Sequence, residues 1–289
     1  MEKWCAKTDG KKTIKIICDS MIFLGSVMLC IPIIIMLTNS FESPRQILDY
    51  YYSGKTFTAF RLVPEILSAD QYYAALISNK EYVTALMNSV EYAVISASGQ
   101  LFCAAVSAYG LSLCRGKWVK WVIAGLLFTM LIPYQVVEVP IYLIMRDMTL
   151  AGSKASVIIQ NIFHPFPTSV MYFLITGIKK ETIEAAQLDG AGAWHILGQI
   201  ILPQINSGMC VIFILQYIDT WNMIEQPLIF LQSTRNMPLS VLLPRLVSDN
   251  SGYAFGFGII FLLPVFLLYL SLQEEIEHAL ADGLYVSGS

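Results

Sequence analysis

Few residues in this 289-residue chain have the types and spacing that self-contained chemistry requires. The three histidines stand apart, and the sequence has no H-E-x-x-H pattern to hold a zinc ion. The six cysteines are scattered without a C-x-x-C pair, so they predict neither a metal site nor a redox pair. Gly54-Lys55-Thr56 matches the end of a phosphate-binding loop, but Asp49 stands where such a loop needs its first glycine. The sequence therefore predicts no metal centre, nucleotide site or nucleophilic catalyst.

Polar side chains inside long apolar segments are the residues most able to contact a polar solute. Ionisable groups in a bilayer are costly and usually face a cavity or a partner. Pro133 frees a backbone carbonyl beside Tyr134 and Gln135, and Glu138 follows within one turn, so this region could line a polar path. The alternative is that such groups bond between helices or lie at the interface. Further candidates are Glu91, Gln160, Asn161, His164, Gln216, Asp219 and Asn222.

The composition indicates what must position these residues. The chain is 56% hydrophobic and 13% charged, with a mean hydropathy of +0.60. Soluble domains carry about 25% charged residues, so too little polar surface is present to cover a soluble fold of this length. Disorder is excluded by the apolar fraction, and a net charge of −3 gives no electrostatic case for nucleic acid. The sequence indicates an all-helical polytopic membrane protein.

Six segments are long and apolar enough to cross a bilayer, which takes about 20 residues for roughly 30 Å of hydrocarbon. The first follows a basic stretch without a cleavage site, so we expect it to stay as an uncleaved span. The predicted order is an N-terminal stretch (1–15), a first span (16–37), an outer segment (38–80), a core (81–273) and a tail (274–289). The remaining spans are 89–113, 121–145, 155–178, 205–231 and 253–273.

The distribution of lysine and arginine predicts the orientation. Five lysines precede the first span, and basic residues also follow the second and fourth spans. The short loop between the third and fourth spans has only Arg146 and Lys154. Because cytoplasmic loops are enriched in basic residues, we expect both termini in the cytoplasm. The inner basic residues after the spans are Arg115, Lys117, Lys120, Lys179 and Lys180.

Two segments between spans are longer than simple turns. The outer segment 38–80 is rich in Tyr and Phe, and Ser68 with Gln71 fits a capping box, which predicts a short helix near Ala69–Ser78. The second segment, the 179–204 loop, would be cytoplasmic. Helix formers in Glu181–Leu188 precede glycines that permit a tight turn, and helical character resumes over Trp194–Leu202 until Pro203 closes it.

The 179–204 loop also has the spacing of a known motif. Glu184-Ala185-Ala186, Gly190, Ile200 and Leu202-Pro203 fall in the register E-A-A-x3-G-x9-I-x-L-P. This resembles the EAA loop of membrane subunits in binding-protein-dependent ABC importers, and the string EAAQLDGAGAW resembles the carbohydrate-uptake branch. Leu131–Gln135 with Pro140, and Trp221-Asn222, resemble further family signatures. The chain departs from the family at Ser207, where a second proline is usual.

The resemblance implies a six-span permease subunit in a prokaryotic inner membrane, similar to the smaller membrane subunit of the maltose system. It would work by alternating access beside a second permease, two ATP-binding subunits and an extracellular solute-binding protein, which the outer segment would help to dock. ATP and Mg²⁺ would bind the partner ATPase, and this chain would bind no cofactor. In the loop, Glu184 would pair with a basic group of the ATPase and Gly190 would supply the turn. The expected coupling residues are Glu184, Ala185, Ala186, Asp189, Gly190, Ile200, Leu202 and Pro203.

A carbohydrate substrate would be held by aromatic faces and hydroxyl-bonding side chains. Tyr134, Gln135, Gln216 and Trp221 are then the expected contacts, with Glu138 and Asn222 on the same path. Other readings stay open: an ABC permease for peptides or another solute, a stand-alone secondary transporter or channel, and a membrane-embedded enzyme. A stand-alone transporter predicts internal repeats, of which the sequence shows no clear sign, and an enzyme needs a convergent catalytic set.

Overall fold

The computed structural model describes residues 2–51, 63–64, 66–114 and 116–286, and within these ranges it consists of helices and turns without a strand. The expectation of an all-helical protein is confirmed. The Gly54-Lys55-Thr56 triplet, Arg115, part of the aromatic run in 38–80 and the last residues of the tail lie outside the described residues. Two compact units are formed, residues 1–80 with 245–261 and residues 81–244 with 262–289.

Fourteen helices in the described ranges are used below, together with single 3₁₀ turns at Thr234–Asn236 and Ser251–Tyr253. Two of them, α3 and α10, contain a π turn. The helices are α1 (Glu2–Asn39), α2 (Pro44–Tyr51), α3 (Asp70–Tyr73, continued by a π turn Ala74–Ser78), α4 (Lys80–Leu113), α5 (Trp118–Thr129), α6 (Tyr134–Asp147), α7 (Lys154–Ile162), α8 (Pro165–Thr176), α9 (Lys180–Leu188), α10 (Ala193–Gln204), α11 (Asn206–Trp221), α12 (Glu225–Phe230), α13 (Leu239–Asp249) and α14 (Ala254–Val286).

Three stretches of the described chain are single helices long and apolar enough to cross a membrane: Cys18–Asn39, Lys80–Leu113 and Ser251–Ala279. They correspond to the first, second and sixth predicted spans. Two helix pairs pass the same criterion together but are sharply bent, α5 with α6 by 99° and α10 with α11 by 83°. The number of spans is therefore three, or five if each bent pair is one span, and the count of six stays a prediction.

The third and fourth predicted segments, 121–145 and 155–178, are not continuous helices. Pro133 lies between α5 and α6 with an extended ψ of 137°, and its missing N–H ends the hydrogen-bond ladder there. Pro165 opens α8, and the residue before it, His164, is extended (φ −90°, ψ 134°) because proline disfavours a helical conformation at the preceding position. Both predicted segments are therefore interrupted at a proline, and their assignment as membrane spans stays a prediction.

The fifth predicted segment, 205–231, is also interrupted. Helix α11 ends at Trp221, and the separate short helix α12 follows from Glu225. At the other end, the chain turns at Ile205 between α10 and α11. The break falls at the Asn222–Ile224 link, where the backbone is not helical.

In the first unit, a buried glutamine joins three backbone segments. Gln71 Nε2 donates to the carbonyls of Asn39 (2.8 Å) and Glu42 (2.9 Å), and Gln71 Oε1 accepts from the N–H of Gly256 (2.7 Å). The expected capping box is wrong because this amide is used for tertiary contacts. Ser68 Oγ accepts from the Asp70 N–H (3.0 Å), but Ala69 is the N-cap of α3, so this bond is not part of a capping box.

In the second unit, polar side chains of α4 hold the segment that precedes α13. Asn88 Nδ2 donates to two carbonyls of this segment at 2.8 and 3.0 Å, and Tyr92 Oη donates to the Asn236 carbonyl at 2.9 Å. Ser89 Oγ accepts from the Leu239 N–H at 2.7 Å, and Glu91 forms an ion pair with Lys154. Irregular backbone is thereby satisfied by one face of a long helix.

The core of the second unit is built on small residues of α4. Ala104, Ala105 and Ala108 let other helices approach closely, and they are buried in one cluster with Met171 and Ile175 of α8. Residues of the 179–204 loop join the same cluster, namely Ala186, Ile196, Leu197 and Ile201. The base of the loop is consequently part of the helix packing.

Candidate functional site

The 179–204 loop begins with α9, which ends in a left-handed glycine turn. Gly190 has φ +82°, its N–H bonds the Gln187 carbonyl (3.1 Å), and the Ala191 N–H bonds the Ala186 carbonyl (3.0 Å). This pair of bonds is the Schellman arrangement that ends many helices. A Cβ at Gly190 would meet no atom within 4 Å, so the backbone conformation alone requires glycine there.

The second half of the loop is the broken helix α10. It starts at Ala193, widens into π turns over Ile196–Ile201 and ends at Gln204. Pro203 lies in the last turn, so the helix ends one residue beyond the expected stop. The bend of 83° into α11 follows directly.

The expected coupling residues divide into an outer and an inner set. Glu184, Ala185, Asp189, Gly190 and Pro203 are exposed, whereas Ala186 is buried and Ile200 and Leu202 are half-buried. Two large apolar side chains beside the glycine turn were not among the expected contacts: Leu188 is 89% exposed and Trp194 is 69% exposed. Their exposed apolar surface is available for contact with a partner.

A polar contact ties the exit of the loop to the last helix. Ser207 Oγ donates to Glu275 Oε2 of α14 at 2.7 Å. The next residue, Gly208, packs so closely on α8 that an added Cβ would lie 2.7 Å from Leu174 Cδ1. The start of α11 is therefore fixed on both sides by this chain's own helices.

A cavity of about 1350 Å³ lies where the helices are broken by proline. Pro133 and Pro165 both line it, between α4, the α5–α6 break, the α7–α8 break and α11. Most of the wall is apolar. Its polar lining residues include Tyr134, Gln160, Asn161, His164, Asp219 and Gln226.

Hydrogen bonds order part of this polar wall. Tyr134 Oη donates to Gln160 Oε1 at 2.8 Å, which joins the α6 start to α7. Gln100 Nε2 donates to the Asn161 carbonyl at 2.7 Å and holds the end of α7 on α4. Asn161 Nδ2 donates to the Val157 carbonyl at 2.9 Å within α7. The wall is thus presented by side chains whose own positions are fixed.

Of the six residues expected along the path, Tyr134 alone is among the described residues that line the cavity. Gln216 and Trp221 are 5% and 1% exposed within the helix packing, where Trp221 stacks on Tyr217 with ring centroids 5.9 Å apart. Asn222 Nδ2 donates to the Ile218 carbonyl of its own helix at 2.8 Å.

The other two path residues, Gln135 and Glu138, occupy different surroundings. Gln135 is exposed and donates to Glu225 Oε1 at 2.6 Å, and Glu138 is half-buried outside the cavity wall.

The further candidates fare differently, because Gln160, Asn161, His164 and Asp219 all line the cavity. Gln226, which no sequence argument singled out, lines it as well. The missed signal is the second proline break, at Pro165, because Asn161 and His164 precede it and line the cavity with it. No group of three His, Cys, Asp or Glu side chains able to hold a metal occurs within the described ranges.

Comparison with known proteins places this geometry in context. Residues 100–279 match the family model described as the binding-protein-dependent transport system inner membrane component. The melibiose/raffinose/stachyose import permease MelC of Bacillus subtilis is 28% identical over 62% of this chain and 67% of its own length. The lactose transport system permease LacG of Rhizobium radiobacter is 23% identical over 68% of this chain and 72% of its own length.

Among solved structures, a chain of a bacterial ABC transporter that imports the acidic polysaccharide alginate is similar. It is 22% identical, the TM-score is 0.77, and the match covers 92% of this chain and 97% of that chain. At this identity the likeness shows the fold. A second structure of an alginate ABC transporter, in complex with a periplasmic protein bound to an alginate pentasaccharide, matches with a TM-score of 0.62 and 16% identity.

Proposed function

We propose that this chain is a translocating subunit of an ATP-driven sugar importer. The premise is that the chain belongs to the family of binding-protein-dependent transport system inner membrane components. The family match over residues 100–279 carries this proposal, because it includes both the 179–204 loop and the cavity. The sugar assignment is supported by relatives that carry lactose, melibiose, arabinooligosaccharide and diacetylchitobiose in their names.

The 179–204 loop would be the contact to the energy source. Leu188 and Trp194 expose apolar surface beside the Gly190 turn, and Glu184 is exposed on the same loop. Covering a large apolar side chain contributes about 1.5–3 kcal/mol, so a socket on a separate ATPase subunit would bind this surface. ATP and Mg²⁺ would be bound and hydrolysed there, and this chain would contribute no cofactor site.

Force applied to the loop would reach the helices through the packing of its base. Ile196, Leu197 and Ile201 lie in one cluster with Ala108 of α4 and Met171 of α8. Close-packed interiors transmit displacement because they have few voids to absorb it. Closure of the ATPases would therefore move α4 and α8 with the loop and shift the chain between inward-open and outward-open states.

The assembly would contain a second permease, two ATPase subunits and an extracellular solute-binding protein, with residues 38–80 contributing to the outer docking surface. Both termini and the 179–204 loop would lie in the cytoplasm of a prokaryotic cell. The cavity would form part of the solute path.

Co-purification and reconstitution test this proposal. Tagged chain purified from the cells that naturally produce it is expected to recover a second permease and an ATPase. The reconstituted complex should take up a labelled oligosaccharide only with ATP and a binding protein. Recovery of the chain alone, or uptake that does not need ATP, would reject the proposal. The Gly190→Pro variant, inserted at wild-type levels, is the matched control and should assemble poorly and transport nothing.

A further inference from the structure

The cavity wall carries charge of one sign. Asp219 is the only described lining residue with a formal charge when histidine is neutral, and no lysine or arginine lines the cavity within the described residues. Asp219 itself is exposed, and the apolar, low-dielectric walls around it focus the field of its charge into the cavity. The 1350 Å³ space should therefore hold a negative potential.

The Asp219 carboxylate is not bonded within the described part of the fold, and its electrostatic neighbour is His164 of the same wall. The carboxylate makes no hydrogen bond or ion pair with any residue that the structure describes. Three other acidic side chains of the same unit are engaged: Glu91 pairs with Lys154, Glu225 accepts from Gln135, and Glu275 accepts from Ser207. No hydrogen bond or ion pair among the described residues therefore accounts for the charge of Asp219, and its position in the wall gives it access to a solute.

The rest of the polar wall suits neutral hydroxyl groups. Asn161 and Gln226 carry amides, which both donate and accept, and Tyr134 carries a hydroxyl fixed on Gln160. Phe163 also lines the space and is 73% exposed, so an aromatic face is available to the apolar side of a sugar ring. These groups can bond a sugar of any charge, so a preference for one charge would come from Asp219.

We infer that this cavity is a solute vestibule that admits neutral and amino sugars and disfavours acidic ones. An amino sugar would form a charge-assisted hydrogen bond with Asp219. A uronate carboxylate would meet a like charge without the arginine or lysine that recognises carboxylates. The inference rests on the proposed function, and it separates this chain from the alginate importer, whose fold it shares but whose cargo is acidic.

A cysteine in the wall allows the potential to be read without knowing the substrate. Cys103 lines the cavity and is half-buried. The complete transport complex in nanodiscs, with the other five cysteines of this chain replaced by serine, is treated with cationic and anionic methanethiosulfonate reagents of similar size. Mass spectrometry of this chain gives the two modification rates. Asp219 should attract the cationic reagent and repel the anionic one, so the cationic reagent should modify Cys103 about tenfold faster.

Two variants attribute the effect. Asp219→Asn should bring the ratio of the two rates close to one, whereas Asp147→Asn, which removes an exposed carboxylate paired with Arg146 outside the cavity, should leave it unchanged. A wild-type ratio near one, a ratio that Asp219→Asn leaves unchanged, or a Cys103 that no reagent reaches would each overturn the inference.

Uptake distinguishes the inference from the proposed function. Proteoliposomes are offered neutral gluco-oligosaccharides, glucosamine oligomers and galacturonate oligomers of equal length, with wild-type and Asp219→Asn complexes. We expect the wild type to transport neutral or amino oligomers. Where amino oligomers are carried, Asp219→Asn should lower the ratio of amino to neutral transport rates by about tenfold. Where they are not carried, we expect galacturonate oligomers to be excluded. Transport of galacturonate at the neutral rate by the wild type refutes the charge selection alone. A charged cavity in a complex that imports no member of the panel refutes the sugar function instead.

Discussion

Replacing Gly190 by alanine isolates the backbone requirement of the 179–204 loop. Gly190 has φ +82°, and a Cβ there would meet nothing within 4 Å, so the substitution introduces no clash. Its effect is the cost of the left-handed conformation for a residue with a Cβ, about 1–2 kcal/mol. Because the turn lies between α9 and α10, the substitution destabilises the relative placement of Leu188 and Trp194, which would bind the ATPase.

The magnitude follows from a population argument. A cost of 1–2 kcal/mol lowers the fraction of correctly turned loop by up to roughly 5–30-fold where that turn is only marginally stable. We expect Gly190→Ala to weaken ATPase binding within that range, Gly190→Asn to weaken it less because asparagine tolerates the left-handed region, and Gly190→Pro to abolish it. Proline cannot adopt φ +82° and lacks the N–H that bonds the Gln187 carbonyl.

Gly192 provides the matched control. It is exposed on the same loop, a Cβ there would also meet nothing within 4 Å, and its φ of −72° suits any residue. Binding of the purified ATPase to nanodisc-held permease, by interferometry, is the assay, with ATP-driven uptake in parallel. Equal effects of Gly190→Ala and Gly192→Ala, or wild-type binding by Gly190→Pro at normal membrane levels, would refute the reasoning.

Three further predictions concern single contacts. Leu188→Ser and Trp194→Ser should each weaken ATPase binding by about tenfold or more while thermal stability of the isolated chain is unchanged, since both side chains are exposed; loss of stability instead would mean that they belong to the core. Ser207→Ala removes the hydrogen bond to Glu275 and should lower the unfolding free energy by about 1.5–3 kcal/mol. Ser271→Ala loses only a bond within its own helix and should cost less. Equal costs would contradict a stabilising role of the Ser207–Glu275 bond. Gln71→Ala should cost about 2–4 kcal/mol because three buried backbone contacts lose their partner, and a melting temperature within one degree of wild type would contradict the assignment.

Local sequence signals predicted much of the loop. Glycine at a left-handed turn and helix formers on both sides are properties of a few consecutive residues, and the structure places the turn at Gly190 as expected. The ends of α9 and α10 lie within a residue or two of the expected ranges. Where a feature depends on neighbours in sequence, its prediction needs no knowledge of the packing.

The breaks in the spans could not be predicted in this way. Pro133 and Pro165 mark breaks, but Pro32, Pro140, Pro244 and Pro264 lie inside helices. Whether proline ends a helix depends on whether its surroundings satisfy the freed carbonyl and accept the bend. That information resides in the tertiary structure.

The cavity shows the same limit for side chains. Gln216 and Gln226 are the same residue type ten positions apart, yet the first is buried in the packing and the second lines the cavity. Gln71 fits a local capping pattern but is used by backbone groups distant in sequence. In each case the face that a helix presents, set by packing of the whole unit, decides the role.

Cross-linking measures whether the 179–204 loop of this chain contacts an ATPase. Leu188→Cys, placed in a chain otherwise free of cysteine, is combined with single cysteines introduced into the surface of the co-purified ATPase. The account predicts a cross-link from position 188, with a yield that changes when ATP is added, and none from a cysteine at the buried position Ile212. An intact complex in which position 188 cross-links to no ATPase position, with or without ATP, would contradict it.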